Sequence, residues 1–483
     1  MALFSTSIFP IKYYILPCLC LLFASKKSYG FEGRKVAQSQ HLQDSHVIEV
    51  SSLFAATSCK PASQELKGES SLRVVHKYGA CNHRQDTTIT TIPDHAEILR
   101  QDQSRVNYIQ SKLSKSSTRN DQKVTDAATL PTFDGRKIGS GNYVVTVGLG
   151  TPKKDLSLIF DTGSDITWTQ CQPCVTSCYQ QQDPIFDPSK STSYLNISCT
   201  ASLCNSLTSA TGKAPGCSSS TCLYAIQYGD SSFSVGFFGK ERMTLTSTDS
   251  FDIYFGCGQN NQGLFGGSAG LLGLGRDKLS LVSQTAQKYN KLFSYCLPST
   301  SSSTGFLNFG GSPSSSVKFT PLSTSSAGSS FYGLDFIGIN VAGRKLAISS
   351  SVFSTPGAII DSGTVITRLP PAAYSALRFA FRQAMSTYPT APALSILDTC
   401  YDFSSYKTVT VPKIAFLFNG GVVVDIHLSG IFYVNKATQV CLAFAGNNDA
   451  TDVAILGNVQ QKTLEVVYDG VGGRVGFAPG GCS

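Results

Sequence analysis

The sequence predicts an all-β-dominated chain of two related lobes behind an upstream segment of different texture. Three observations carry this. From about residue 140 to the end, short β-branched and aromatic runs alternate with Gly, Asn and Ser turns roughly every 8–12 residues. One motif, a carboxylate driven out of an apolar run into a glycine turn, occurs twice. The chain has 483 residues, too many for one ordinary core and enough for two or three domains.

The N-terminus reads as a leader. "YYILPCLCLLFA" is an apolar run of about a dozen residues behind Lys12, short for a membrane span. Residues 1–30 are therefore expected to be a secretory signal peptide cut after Gly30. A plastid transit peptide is the rival. No later segment is apolar enough to anchor the chain in a membrane, and none is expected.

Residues 31–139 are polar and basic. Within them "SSLRVVHKYG" predicts a strand. "HAEILRQDQSRVNYIQSKL" places Ile98, Val106, Ile109 and Leu113 at helical spacing with charges between. The alternative is a disordered basic linker. Net charge follows this division. Residues 1–140 hold 18 Lys and Arg against 12 Asp and Glu, and residues 141–483 hold 21 against 19. The overall +8 thus belongs mostly to the upstream part, so it does not point to a nucleic-acid partner.

Beyond residue 140 only "DKLSLVSQTAQKY" and "PAAYSALRFAFRQAMSTY" read as helices, the second with Leu377, Phe381 and Ala384 on its apolar face. Ser-rich patches at 299–304 and 312–330 read as surface loops.

Cysteine usage fits an oxidising compartment. Cys18 and Cys20 fall in the leader, and Cys59 and Cys81 precede the β-rich region. Twelve remain: Cys171, Cys174, Cys178, Cys199, Cys204, Cys217, Cys222, Cys257, Cys296, Cys400, Cys441 and Cys482. An even set suits up to six disulfides. Zinc is the rival, but "CQPCVTSC" has no nearby His and no second C-x2-C. Asn196 in "NIS" is a glycosylation acceptor by pattern.

The repeated motif carries the chemistry. "LIFDTGSDITW" places Asp161 at the end of an apolar run, and "AIIDSGTVITRL" does the same for Asp361. Each is followed roughly a hundred residues on by an apolar-apolar-Gly run, "GLLGLG" and "AILGN". The bland reading is two unrelated turns. Duplication of a lobe explains the repeated order better, with one carboxylate supplied by each lobe. Two adjoining carboxylates share a proton and their pKa values split apart. The ionised one can take a proton from water and the protonated one can donate to a carbonyl. That is amide hydrolysis needing no metal or cofactor. Gly163 and Gly363 would let the turns approach. The hydroxyls of Thr162 and Ser362 would tie the loops together, and those of Ser164 and Thr364 would orient the carboxylates.

These motifs, with "YGDSSFSVG" and the cysteine-rich insertion after Asp161, resemble the plant pepsin-like aspartic proteases of the nepenthesin-like branch. The resemblance covers about residues 140–483. It implies a bilobal pepsin-like fold with two six-stranded-barrel-type lobes and a few short helices, preceded by a pro-segment. The lobes would span residues 140–320 and 321–483, after a pro-segment at 31–139. It implies a secreted, acid-active endopeptidase of the extracellular space or apoplast, with plastid or vacuole as alternatives. The chain would act as a monomer on peptides or proteins, with its own pro-segment as inhibitor. An alternative is a pepsin fold that has become a binding protein or enzyme inhibitor. Tyr228 and Gly229 would form a flap over the cleft, with Trp168 as partner of Tyr228. Ser231 departs from the glycine common in related flaps. The resemblance also implies pairing of Cys171 with Cys174, Cys178 with Cys257, Cys199 with Cys222, Cys204 with Cys217, Cys296 with Cys482 and Cys400 with Cys441.

Overall fold

The computed structural model describes residues 44–61, 70–82, 94–117, 143–228, 232–263, 265–323 and 328–482. The expected signal peptide, Gly229 and Ser231 lie outside these residues.

The described chain is mostly strand with a few short helices, and its strands fit a bilobal pepsin-like arrangement. The largest sheet system closes on itself. Two four-stranded sheets and a two-stranded pair complete the fold. Its topology reproduces the duplication read from the motifs. The strand Lys154–Asp161 runs parallel to Gly270–Gly273, with Asp161 opposite Gly273. In the second lobe Ala358–Ile360 runs parallel to Ala454–Leu456. The apolar residues of both pairs are buried on both faces, which explains their unbroken hydrophobic runs. Each parallel pair ends together, so each carboxylate leaves its sheet at a fixed height.

A further strand follows each carboxylate loop. Trp168–Gln170 pairs with Gly256–Gly258 in parallel, and Trp168 lies opposite Leu271. Thr367–Leu369 pairs with Phe444–Gly446 in parallel, and Arg368 lies opposite Ile455. Trp168 and Arg368 therefore hold equivalent places in the two lobes.

The upstream segment is built into this framework. Ser71–His76 forms the expected strand and is hydrogen-bonded between Thr304–Asn308 and Tyr143–Val144. Ser45–Glu49 pairs with Thr408–Pro412. His95–Ser117 forms the expected helix, and Ile98, Leu99, Val106, Ile109 and Leu113 are buried. Its apolar face packs on Val365, Ile366, Leu394 and Leu397 near one end, and on Phe331, Ile359 and Ile455 near the other.

Two helix readings change in detail. "DKLSLVSQTAQKY" forms two one-turn helices, Leu281–Gln284 and Ala286–Tyr289, broken at Thr285. Pro371–Ala384 is a single helix, but Ala384 is exposed and Met385 is buried instead. The buried stripe runs Ala373, Leu377, Phe381, Met385 at four-residue steps.

The pairing of four disulfides is corrected. Cys171 bonds Cys257 and Cys174 bonds Cys178, with Cα separations of 5.3 and 5.9 Å. The parallel pairing of strand Trp168–Gln170 decides this, because the Cys171 N–H donates to Gly258 O at 2.7 Å. Cys199 bonds Cys217 and Cys204 bonds Cys222. Burial sorts these four. Cys204 and Cys222 lie in an apolar cluster with Leu207 and Tyr224, whereas Cys217 is exposed and Cys199 half-buried. Cys296–Cys482 and Cys400–Cys441 are as expected. A seventh bond, Cys59–Cys81, closes the upstream segment on itself. Asn196 is exposed on a two-residue strand.

Phe381 is fully buried against Tyr401 and Phe432. Phe381→Ala should therefore cost about 3–5 kcal/mol through lost burial and a residual cavity. Denaturant unfolding with the disulfides intact measures it.

Candidate active site

Each catalytic-type loop is a short turn whose conformation is fixed from within. The Gly163 N–H donates to Asp161 Oδ1 at 2.9 Å, and the Gly363 N–H donates to Asp361 Oδ1 at 3.0 Å. Both turns are thus closed by the carboxylate that starts them, an Asx-type arrangement. Across the lobes, the Ser362 N–H donates to Thr162 Oγ1 at 2.9 Å and the Thr162 N–H donates to Ser362 Oγ at 3.1 Å. All four partners belong to buried residues, so this reciprocal pair sets the spacing of the lobes without competition from water.

The glycines have a steric reason. A Cβ on Gly163 would lie 2.6 Å from Asp361 Oδ1, and one on Gly363 would lie 2.5 Å from Asp161 Oδ1. Each glycine sits under the opposite carboxylate. Any side chain there would push the carboxylates apart.

The two hydroxyls expected to orient the carboxylates differ. Thr364 Oγ1 donates to Asp361 Oδ2 at 2.5 Å. Ser164 is buried beside Asp161 and favours its ionised form, but its Oγ makes no hydrogen bond of ordinary geometry. The hydroxyl contact is therefore closer in the second lobe than in the first.

Trp168 and Tyr228 meet as expected. The Trp168 Nε1–H donates to Tyr228 OH at 2.7 Å. Phe265 stands edge-on to both, with ring centroids 4.9 Å from Trp168 and 5.9 Å from Tyr228. Gly229, beside Tyr228, lies outside the described residues.

The decisive group was not singled out in the sequence. Arg105, from the upstream helix, reaches both carboxylates. Its Nη2 donates to Asp161 Oδ1 at 2.7 Å and to Asp361 Oδ1 at 2.9 Å, while its Nε donates to Asp361 Oδ2 at 3.0 Å. The fork geometry of guanidinium suits such bridging. One turn earlier, Asp102 is fully buried and accepts the Val365 and Ile366 N–H groups at 2.6 and 3.1 Å. It also pairs with buried Arg368 at 3.0 Å. One turn later, Gln110 exchanges two hydrogen bonds with the backbone of Val453. The available signal was charge on an apolar face: Ile98, Asp102, Arg105 and Ile109 fall on one helical stripe.

Burial and charge split the pair. Burial raises the Asp161 carboxyl, but Arg105, the Gly163 N–H and Ser164 more than offset it, leaving it below its ordinary value. For Asp361 burial dominates, Arg105 opposes it and the Asp161 charge adds to it, so the carboxyl is pushed up to about 6. Near neutral pH the pair thus holds close to two negative charges against one guanidinium. Below about 6 it holds one charge and one proton. Among the described residues no cluster of His, Cys, Asp and Glu is arranged to hold a metal ion.

The chain is similar to several known proteins. Residues 143–311 match the family model described as xylanase inhibitor N-terminal, and residues 331–479 match xylanase inhibitor C-terminal. An aspartyl protease family protein of Arabidopsis thaliana is 61% identical over 97% of this chain and 98% of its own. A second Arabidopsis aspartyl protease is 54% identical over the same shares. The aspartic proteinase nepenthesin-2 of Nepenthes gracilis is 38% identical over 71% of this chain and 78% of its own. Among solved structures, basic 7S globulin from soybean superposes with a TM-score of 0.55 at 21% identity, covering 71% of this chain and 92% of that one. At that identity the likeness speaks to fold alone.

Substituting Arg105 by Leu keeps the bulk and deletes the charge. Since Arg105 lowers both carboxyls, both should titrate higher in the full-length variant. Carboxyl-resolved NMR titration of Asp161 and Asp361 checks the sign.

Proposed function

The chain belongs to the plant pepsin-like aspartic protease family, and we propose that it is made as a secreted zymogen whose upstream helix shuts an Asp161/Asp361 dyad. As a member it is an aspartic-type endopeptidase acting on peptide or protein substrates. The observation that carries the finer reading is Arg105, a residue of the same chain placed on both carboxylates at once.

In this reading residues 1–30 direct export and residues 31–139 form the pro-segment. Residues 140–320 and 321–483 form the two lobes. The leader run and the seven disulfides support an oxidising destination, the extracellular space being the simplest. Among the described residues no helix is long and apolar enough to cross a membrane.

The mechanism follows from the carboxylates. With Arg105 withdrawn, the ionised member removes a proton from a water held between the two, and that water attacks the scissile carbonyl. The protonated member donates to the carbonyl oxygen, so charge does not build up there. The Thr162–Ser362 bonds keep both carboxylates at the distance this exchange needs, and the glycines keep that space open. The Tyr228 hydroxyl, held by Trp168, is positioned to fix the flap side of the cleft.

Acid opens the site by weakening one contact. Arg105 binds best when both carboxylates are ionised. As pH falls through about 6, Asp361 takes up a proton and its attraction for the guanidinium is lost, while Asp161 stays ionised. Proteolysis near residues 137–143 then makes release permanent.

The full chain should be inactive at pH 7 while uncut and become active after acidification below about 6. Activity should vanish in Asp161→Asn and be blocked by a statine-type transition-state analogue. Arg105→Leu should show cleavage at pH 7 before processing, read with a quenched fluorescent peptide. A proform cleaving peptides at full rate while uncut at pH 7 would refute the zymogen reading. Equal cleavage by Asp161→Asn would refute the dyad.

A further inference from the structure

We propose that Arg368, with the backbone N–H groups of Val365 and Ile366, forms a substrate subsite for an acidic side chain, occupied before processing by Asp102. The proposal rests on the reading that the upstream helix leaves the cleft.

The geometry is that of a carboxylate cradle. Three groups converge on Asp102: two backbone N–H donors at 2.6 and 3.1 Å and a guanidinium at 3.0 Å. The cradle is continuous with the dyad loop, since Val365 and Ile366 are four and five residues after Asp361. Arg368 is held from behind, its Nη1 donating to Ile366 O at 2.7 Å. Its Nε has no hydrogen-bond partner among the described residues, although the side chain is fully buried. Its ion-pair partner comes from the removable helix.

This places a problem on the mature enzyme that a ligand solves. Withdrawing Asp102 leaves a cation and two N–H groups with no carboxylate, facing the space the helix vacated. Removing one partner of a buried pair is costly, because the remaining charge is uncompensated. An incoming Asp or Glu side chain restores the same three contacts. A neutral Gln or Asn cannot restore the charge, and a site built to bind one polar group discriminates strongly against its imperfect analogue.

The equivalent position in the first lobe supports a cleft-facing role. There Trp168 hydrogen-bonds Tyr228 on the flap side. The duplication therefore gives both lobes a side chain at this place that reaches toward the cleft, aromatic in one lobe and cationic in the other. Apolar neighbours Leu394 and Leu397, now covered by Ile98 and Leu99, would flank the bound acidic residue. Asp102 precedes Arg105 by three helical residues, a rise of about 4.5 Å. An extended substrate advances about 3.3 Å per residue. The acidic position should therefore fall within roughly three residues of the scissile bond.

The test uses the full chain processed by acid. Peptide pairs differing only as Glu or Gln are compared, one position at a time, at about pH 5.5, where a free Glu is ionised. At one position the Glu peptide should have a kcat/KM about tenfold above its Gln twin. Arg368→Gln should bring that ratio close to one, and Arg368→Lys should retain part of it. Should Arg368→Gln fail to fold, the wild-type ratio and the Lys variant still decide. Ratios within about twofold at every position, or a ratio unchanged in Arg368→Gln, would overturn the proposal. The same ratio measured as Kd on Asp161→Asn protein, cut after the upstream segment by an added protease, separates the two readings. Acid-selective binding without wild-type cleavage would defeat the endopeptidase mechanism and support the cradle. Cleavage without acid selectivity would do the reverse.

Discussion

Two buried carboxylates in contact repel each other and resist ionising together. The site around Asp161 and Asp361 is organised by that constraint. The reciprocal Thr162–Ser362 bonds force the carboxylates together, and two glycines remove the side chains that would keep them apart. What forces them together also creates a place for one cation. Arg105 takes it, and with it the upstream helix gains a fixed position in the cleft.

Three of the polar contacts that hold the helix fall at its middle turns. Asp102, Arg105 and Gln110 meet Arg368, the dyad and Val453 respectively. The apolar residues between them supply burial, which does not depend on pH. The Arg105 contact does, because Asp361 is pushed up to about 6. One helix thus combines a constant anchor with a contact that weakens in acid.

Much of the fold was legible because it repeats. Asp161 and Asp361 each follow an apolar run, and the partner runs "GLLGLG" and "AILGN" turned out to be their parallel sheet neighbours. The Trp168–Tyr228 contact followed from the family resemblance. The four disulfides that follow Asp161 did not follow from sequence, since their eight cysteines permit many pairings and only strand register and burial choose among them. Thr364 bonds its carboxylate directly, whereas Ser164 acts on Asp161 from close by without a hydrogen bond of ordinary geometry. Asp102 and Arg105 carry no signal of their own in the sequence because charges between apolar helical positions are ordinarily solvated, and Arg368 is a single charge on the short strand Thr367–Leu369. Their meaning depends on what the apolar face packs against, and that is a long-range fact.

The Arg105 contact is proposed to dock the helix, and Asp361 protonation to loosen it. Hydrogen exchange across residues 95–117 of the uncut full chain, corrected for intrinsic exchange rates, tests this most directly. The account predicts strong protection at neutral pH, lost as pH falls through about 6, with loss already evident at neutral pH in Arg105→Leu. Protection that persists unchanged from neutral pH well below the Asp361 titration, or that is indifferent to Arg105, would contradict it.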